Sequence, residues 1–421
     1  MRLRILVALA CAIGGGQAQT GQRDRYFARF PFDRWQTDGE HAGVRWIVRV
    51  HAAELTPHQR LAVRVEAEVD EKEVARRRGH GEMATLLQIE DAAGHRWRTH
   101  AGFDMSRVPA NSPQRALGYA QEAFLVPGDY KLSIAVCDGA SGEYSFSTRP
   151  LHVAPLRGDA LPGAWEGLPA VEFARPPDTP DRWFQPAIRS RLRLGVATTR
   201  PVHIDVVMNI TPSERASGSV NAFRRNMSVL IPALKLLAGM EVRPGSIDVT
   251  MLDLTRQRLW EQKDARGLDW AKMRAPLEGT DQGTIDVQSL AAKAQMAQFF
   301  RDRILERAAP RADDASRVVI VLSAPAFLGQ QLHLEAADLE PDPRRRIFYL
   351  RYRPTPFRPP LTSYPPGEAL PGMNAPPAMN ALPADDLEHA LRPLGARVLT
   401  AENPREFRKA LAAMLAEIGR M

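Results

Sequence analysis

Apolar and polar residues alternate along several short segments between residues 43 and 155. Val44–Val50 and Leu61–Val69 place apolar side chains at every second position, which is the pattern of a strand with one buried and one solvated face. Short strands at regular spacing predict an immunoglobulin- or fibronectin-like β-sandwich over residues 19–155. Further strands are predicted at Leu86–Ile89, Tyr119–Val126, Lys131–Val136 and Tyr144–Val153.

Two segments interrupt this pattern. The charged run Asp70–Arg78 lacks apolar periodicity and is interpreted as a solvated hairpin tip or loop. Residues 156–191 are rich in proline and glycine, which favours a linker or an ordered extended segment over a further domain.

After residue 192 the period changes from two to that of helices. Helical spacing of apolar residues predicts helices at Asn221–Met240, at Thr284–Ala308 and at Arg405–Ile418. They alternate with apolar strands, so residues 192–421 are expected to form a doubly wound, Rossmann-like α/β domain. A Pro-rich insertion at 354–383 separates the last two strands. The predicted strands are Val202–Met208, Ser246–Leu254, Val318–Leu322, Ile347–Tyr352 and Arg397–Leu399, with 253–263 as an antiparallel edge.

The first 18 residues have the composition of a secretory signal peptide. Arg2 and Arg4 precede an apolar run, and small residues up to Ala18 offer a cleavage site. The run is too short to span a bilayer, and no other segment is long and apolar enough. We therefore expect an extracytoplasmic protein, secreted or periplasmic, without a membrane span in its mature chain.

The composition and motifs of the chain exclude several classes of function. The net charge of +7 arises from 56 basic and 49 acidic residues, and no basic stripe with interleaved aromatics indicates nucleic-acid binding. Zinc-finger spacings, phosphate-binding loops and Gly-x-Ser-x-Gly are not found in the sequence. The prediction is therefore a protein that is not an enzyme. Cys137 lies in an apolar strand pattern and is expected to be a buried core residue.

Oxygen-bearing side chains follow the strand that ends at Met208. They are Asn209, Thr211 and Ser213, at alternate positions. A cluster of oxygen ligands at the carboxyl end of a parallel strand is a geometry suited to a hard cation such as Mg²⁺ or Ca²⁺.

With this motif, residues 192–421 resemble a von Willebrand factor type A domain, in particular the secreted bacterial proteins with a preceding β-sandwich. The family's metal-ion-dependent adhesion site uses Asp-x-Ser-x-Ser, a loop Thr and a second Asp after a central strand. The resemblance places Asn209, Thr211 and Ser213 on the first motif and Thr280 or Thr284 on the loop Thr. Ala324, after Ser323, stands where the second Asp belongs.

Both carboxylates of that pattern are missing, so the resemblance implies a degenerate site. Binding of Mg²⁺ or Ca²⁺ depends on anionic ligands, and we therefore expect no cofactor and low occupancy by either ion. The expected function is adhesion-type recognition of a protein partner through a rim of six residues. The alternative is an assembly or scaffolding module that makes contacts through sandwich edges or the Pro-rich insertion. The rim residues are Asn209, Thr211, Ser213, Thr280, Thr284 and Ser323.

Overall fold

The computed structural model describes residues 26–79, 81–108, 116–174, 188–211, 220–278, 295–310, 315–328, 334–335, 339–353 and 385–421. These residues fall into two compact units. The first lies within 1–159 and 165–192, and the second within 160–164 and 193–421. Strands predominate in the described parts of the chain, and they pair into three sheets.

The first unit consists mainly of antiparallel strands. In chain order its elements are α1 (Phe32–Asp38), β1 (His41–Ala42), β2 (Trp46–Val50), β3 (Glu54–Leu55), β4 (Leu61–Val69), α2 (Glu71–Arg76), β5 (Glu82–Asp91), β6 (Arg96–Asp104), β7 (Leu117–Leu125), β8 (Gly128–Asp138), β9 (Tyr144–Val153) and β10 (Val171–Phe173).

Two sheets of this unit pack face to face. One has the strand order β1-β9-β8-β5-β6 and the other β10-β7-β4-β2, with β3 also paired to β4. Their inner faces share a core to which Leu87 and Ile134 contribute from one sheet and Val63 and Ala123 from the other. The β-rich character predicted for this part of the chain is confirmed. Cys137 is buried in a second core beneath α1.

The sandwich extends beyond residue 155, into the segment predicted as a linker. Strand β10 pairs with β7, and Val171 and Phe173 are buried on either side of Glu172. Glu172 also forms an ion pair with the buried guanidinium of Arg60, at 3.0 Å. This strand was not predicted because its three residues are too few to produce a clear alternation and its flanks are rich in proline.

The charged run at 70–78 is a helix, and the predicted hairpin tip or loop is wrong. Asp70 caps α2 by accepting a hydrogen bond from the Lys72 amide at 2.9 Å. Val74 is buried, and the side chain of Arg77 is also buried, with Glu73 and Asp138 as ion-pair partners. Capping and buried ion pairs stabilise a helix that has only one apolar anchor.

The second unit alternates strands with helices. Its elements in chain order are β11 (Gly195–Asn209), α3 (Val220–Leu237), β12 (Glu241–Asp253), β13 (Arg258–Gln262), α4 (Trp270–Glu278), α5 (Met296–Ala308), β14 (Ser316–Ser323), β15 (Arg345–Tyr352), α6 (Asp386–Leu391), β16 (Arg397–Ala401) and α7 (Pro404–Ile418).

These strands form one sheet in the order β13-β12-β11-β14-β15-β16. All neighbours are parallel except β13, which is the antiparallel edge predicted for residues 253–263. On one face, Val207, Val319 and Tyr349 pack with residues of α5 and α6. On the other face, Phe407 of α7 stacks on Tyr352, with ring centroids 4.7 Å apart. The central strands are buried on both faces, which explains the continuous apolar run in β14.

None of the helices in the described ranges is long and apolar enough to cross a membrane. The predicted signal peptide at 1–18, the start of the predicted helix at 284 and the Pro-rich insertion at 354–383 lie outside the described residues.

Candidate functional site

Three neighbouring strands of the second unit end at the same place, which we call the carboxyl edge. Met208 of β11 is in register with Leu322 of β14, and Asn209 is in register with Leu252 of β12. Because these strands are parallel, the residues that follow each of them meet at one edge of the sheet. The carboxyl edge therefore collects Asn209, Thr211 and Ser323.

The carboxamide of Asn209 connects two of these strand ends. Its Nδ2 donates a hydrogen bond to Ser323 Oγ at 3.0 Å, and its Oδ1 accepts one from the Thr211 amide at 3.0 Å. The hydroxyl of Ser323 donates in turn to the carbonyl of Ala324 at 2.5 Å. A neutral amide can serve here because it offers both donors and an acceptor, whereas a carboxylate offers only acceptors.

Thr211 extends the same connection to β12. Its Oγ1 accepts a hydrogen bond from the Leu254 amide at 2.8 Å. The side chains of Asn209, Thr211 and Ser323 are all buried, with 4%, 8% and 1% of their surfaces exposed. Their polar atoms therefore fix the geometry of the edge internally, and any contact with a ligand would depend on the loops around them.

The structure brings together three of the six predicted rim residues. Ser213, Thr280 and Thr284 lie outside the described residues, so their place in the rim remains a prediction. Ala324 is 9% exposed and contributes a methyl group where the family pattern has a carboxylate.

A carboxylate that the sequence analysis did not single out lies at the end of β12. Asp253 is buried, and its Oδ1 accepts the Arg256 amide at 3.1 Å while its Oδ2 pairs with the Arg256 guanidinium at 3.0 Å. In the sequence, the spacing of Asp253 and Arg256 was the feature that could have indicated this ion pair. Since Arg256 neutralises this charge locally, Asp253 does not replace the missing aspartates.

A second polar group lies one strand further along the sheet, where Arg351 is in register with Ser323. Asp385 is fully buried at the start of α6 and accepts hydrogen bonds from Tyr349 Oη at 2.9 Å and the Glu388 amide at 2.9 Å. Arg351 forms an ion pair with Glu388 at 2.5 Å and lies 3.9 Å from Asp385.

Burial dominates the ionisation of this carboxyl group. It raises the pKa of Asp385 to about 6, although the hydrogen bonds from Glu388 and Tyr349 and the charge of Arg351 oppose the shift. The pKa of Tyr349 is also raised, first by burial and then by the neighbouring Asp385. Sequence reasoning missed this group because Asp385 follows a long segment without periodicity.

Comparison with known proteins gave no matching family model and no matching curated protein. Among solved structures, BatB from Bacteroides thetaiotaomicron is 14% identical over 52% of this chain and 98% of its own, with a TM-score of 0.27. The ArnB paralog VWA2 from Sulfolobus acidocaldarius is 8% identical over 68% of this chain and 49% of its own, with a TM-score of 0.25. A structural genomics target, SoR45, is 17% identical over 27% of this chain and 87% of its own, with a TM-score of 0.18. TM-scores this low do not define a fold.

Thr211→Val tests the connection between β11 and β12. Valine keeps the shape of threonine but removes the acceptor for the Leu254 amide, so we expect the second unit to lose about 1–3 kcal/mol of stability. Urea denaturation followed by circular dichroism measures this loss. Thr400→Val, at an exposed position of β16, is the matched control and is expected to change stability by less than about 0.5 kcal/mol. Equal effects of the two substitutions would contradict the proposed connection.

Asp385→Asn tests the buried carboxyl group. The folded state retains the proton up to about pH 6, while the unfolded chain releases it near the ordinary value of 3.8. The folded state thus binds more protons between these values, and its stability falls as pH rises from about 4 to about 6. The loss attributable to Asp385 should be about 2–3 kcal/mol.

Asparagine preserves the helix cap without the titration, so the variant should lack this part of the pH dependence. Urea denaturation at a series of pH values measures the difference between native and variant chains. Asp302→Asn, which alters an exposed carboxylate on α5, should keep the native slope. If the stability of Asp385→Asn falls with rising pH as steeply as that of the native chain, another group is responsible for the titration.

Proposed function

We propose that this chain is a secreted, non-enzymatic recognition protein whose second unit is a doubly wound domain of the von Willebrand factor type A kind. The order of its strands supports this proposal, because numbering them within the unit gives 3-2-1-4-5-6, a doubly wound order. The motif Asn209-x-Thr211-x-Ser213 begins at the end of the first of these strands, where the family's metal site begins.

The observation that carries the proposal is the hydrogen bond between Asn209 and Ser323. It joins the ends of the two central strands, on either side of the point where the strand order reverses. Ligands of open α/β sheets bind outside the carboxyl ends of the strands at this point. A preformed, rigid edge suits recognition of a protein surface, and this assignment rests on analogy between folds.

The same bond supports a recognition mode that does not depend on Mg²⁺ or Ca²⁺. Both ions require anionic oxygen ligands to offset their loss of hydration. At the carboxyl edge the polar atoms of Asn209, Thr211 and Ser323 are neutral and already engaged with each other or with backbone groups. The partner would then be held by the shape and hydrogen bonding of the surrounding loops.

Calorimetric titration with Mg²⁺ and with Ca²⁺ tests the metal-independent part of the proposal. We expect no binding by the native chain at millimolar ion concentrations, because the edge has no uncompensated carboxylate among its described residues. The double variant Asn209→Asp, Ala324→Asp restores both acidic positions and should bind. Submillimolar affinity in the native chain would refute the metal-independent mode.

Site-specific photo-crosslinking tests whether the carboxyl edge contacts a partner. A photoreactive amino acid at Thr255, in the turn after β12, lies at this edge, whereas one at Pro341 lies exposed before the start of β15, at the opposite edge. In cells that produce the protein we expect a discrete protein adduct from position 255 and none from position 341.

The alternative, an assembly module, predicts a different site of crosslinking. Strand β2 ends one sheet of the sandwich, and its Ile47 has 53% of its surface exposed. An exposed edge strand is a template for pairing with another chain. Adducts formed from position 47 but not from position 255 would favour assembly through the sandwich and contradict recognition at the carboxyl edge.

A further inference from the structure

Three potential metal ligands converge in the interior of the second unit, away from the carboxyl edge. His203 and Asp205 lie on β11, and Asp248 lies beside Asp205 on β12. One ligand atom from each residue lies within 4.8 Å of the others. His203 Nε2 is 3.4 Å from an oxygen of Asp205 and 3.4 Å from an oxygen of Asp248.

Two of these atoms are buried and make no hydrogen bond within the described part of the chain. They are His203 Nε2 and Asp205 Oδ2, in residues whose surfaces are only 3% and 1% exposed. A buried polar atom without a hydrogen bond costs about 1–3 kcal/mol. The convergence of a ring nitrogen and a carboxylate oxygen of this kind points to a bound cation.

The remaining polar atoms of the three residues are held by neighbours. His203 Nδ1 lies 2.7 Å from Ser246 Oγ, and we assign the ring proton to Nδ1, which leaves the Nε2 lone pair directed at the carboxylates. Asp248 Oδ1 accepts the Asp264 amide at 2.9 Å, and Asp205 Oδ1 accepts from Arg307 at 3.5 Å. Outer hydrogen bonds of this kind orient ligands in metal sites.

We infer that His203, Asp205 and Asp248 form a binding site for a divalent cation of the Zn²⁺ type. Imidazole nitrogen and carboxylate oxygen are ordinary Zn²⁺ ligands, at about 2.0–2.2 Å. Ligand atoms 3.4 Å apart can both reach one ion at such distances. Mg²⁺ and Ca²⁺ prefer oxygen alone, so the imidazole selects against them.

The surrounding charges are compatible with a bound cation. Arg317 lies 3.6 Å from Asp205 Oδ2, and Arg307 pairs with both Asp205 and Glu261. These contacts hold the Asp205 carboxylate from one side and leave His203 and Asp248 beside it. A buried carboxylate is retained in a fold when it is paired or bound to a metal.

This site is separate from the edge to which recognition is assigned. Four residues along β11 separate Asp205 from Asn209, which corresponds to about 13 Å at the rise of a strand. The inference does not depend on the proposed function, since a cation here would stabilise the sheet whatever the edge binds.

Metal binding during refolding tests the site. Because the ligand atoms are buried, we expect the ion to enter as the chain folds. The full chain is unfolded in urea with a chelator, dialysed, and refolded with or without one equivalent of Zn²⁺. We expect one tightly held Zn²⁺ per chain and a higher unfolding temperature. X-ray absorption should show nitrogen and oxygen ligands at about 2.0–2.2 Å, without sulfur.

Three variants separate this site from adventitious binding. His203→Ala should abolish stoichiometric Zn²⁺ binding. Ser246→Ala leaves the ligands in place but removes the outer hydrogen bond, and it should weaken binding about 10–100-fold. His152→Ala removes an exposed histidine that pairs with Asp129 in the first unit and should leave binding unchanged.

Several results would overturn the inference. They are the absence of a stoichiometric ion, binding lost in His152→Ala, or binding unaffected by Ser246→Ala. If His203→Ala does not fold, Ser246→Ala and the absorption spectrum of the native chain still decide the question. Nuclear magnetic resonance showing an imidazolium at His203 in a chain that excludes Zn²⁺ would mean that a proton takes the place of the ion.

Discussion

The arrangement of the second unit depends on how β11 is held between β12 and β14. Backbone hydrogen bonds hold β11 along its length, and they stop where the strands end. At that point the side chain of Asn209 connects the strand ends, because it hydrogen-bonds to Ser323 and to the Thr211 amide. An amide can donate and accept at once. An aspartate in this position would be an acceptor only, and its charge would require a cation or a guanidinium nearby. With an amide at this position, internal hydrogen bonds stabilise the edge.

A few residues before the carboxyl edge, β11 and β12 carry buried charged side chains. Asp205 and Asp248 keep their carboxyl groups in the interior, where two arginines and His203 surround them. Buried charges are retained only when they are paired or bound to a metal. The end of β11 is thus polar but neutral, whereas its interior segment carries charged side chains.

The extent to which the sequence predicts these features depends on the range of the interactions involved. Apolar periodicity located the buried strands β11, β12 and β14, because burial on both faces leaves a continuous signal. The short strand β10 and the capped helix α2 were missed, because partners distant in sequence, such as Arg60 for Glu172 and Asp138 for Arg77, stabilise them. Asn209, Thr211 and Ser323 could be proposed as neighbours from strand order. Their burial could not be predicted from the sequence, because it depends on which backbone groups hydrogen-bond to them. The interior group was overlooked because His203 and Asp205 belong to β11 and Asp248 to β12, and periodicity within each strand does not show which residues of two strands lie side by side.

In the arrangement proposed above, the recognition edge and the cation site are separate parts of β11. When adhesion uses a metal ion at the edge, partner binding depends on the concentration of that ion, because both proteins supply ligands to it. If the ion is enclosed by β11 and β12 instead, it contributes only to the stability of the sheet, and the edge keeps one geometry at any ion concentration. Recognition would then vary with the loops alone, which can change in sequence without disturbing the buried ligands.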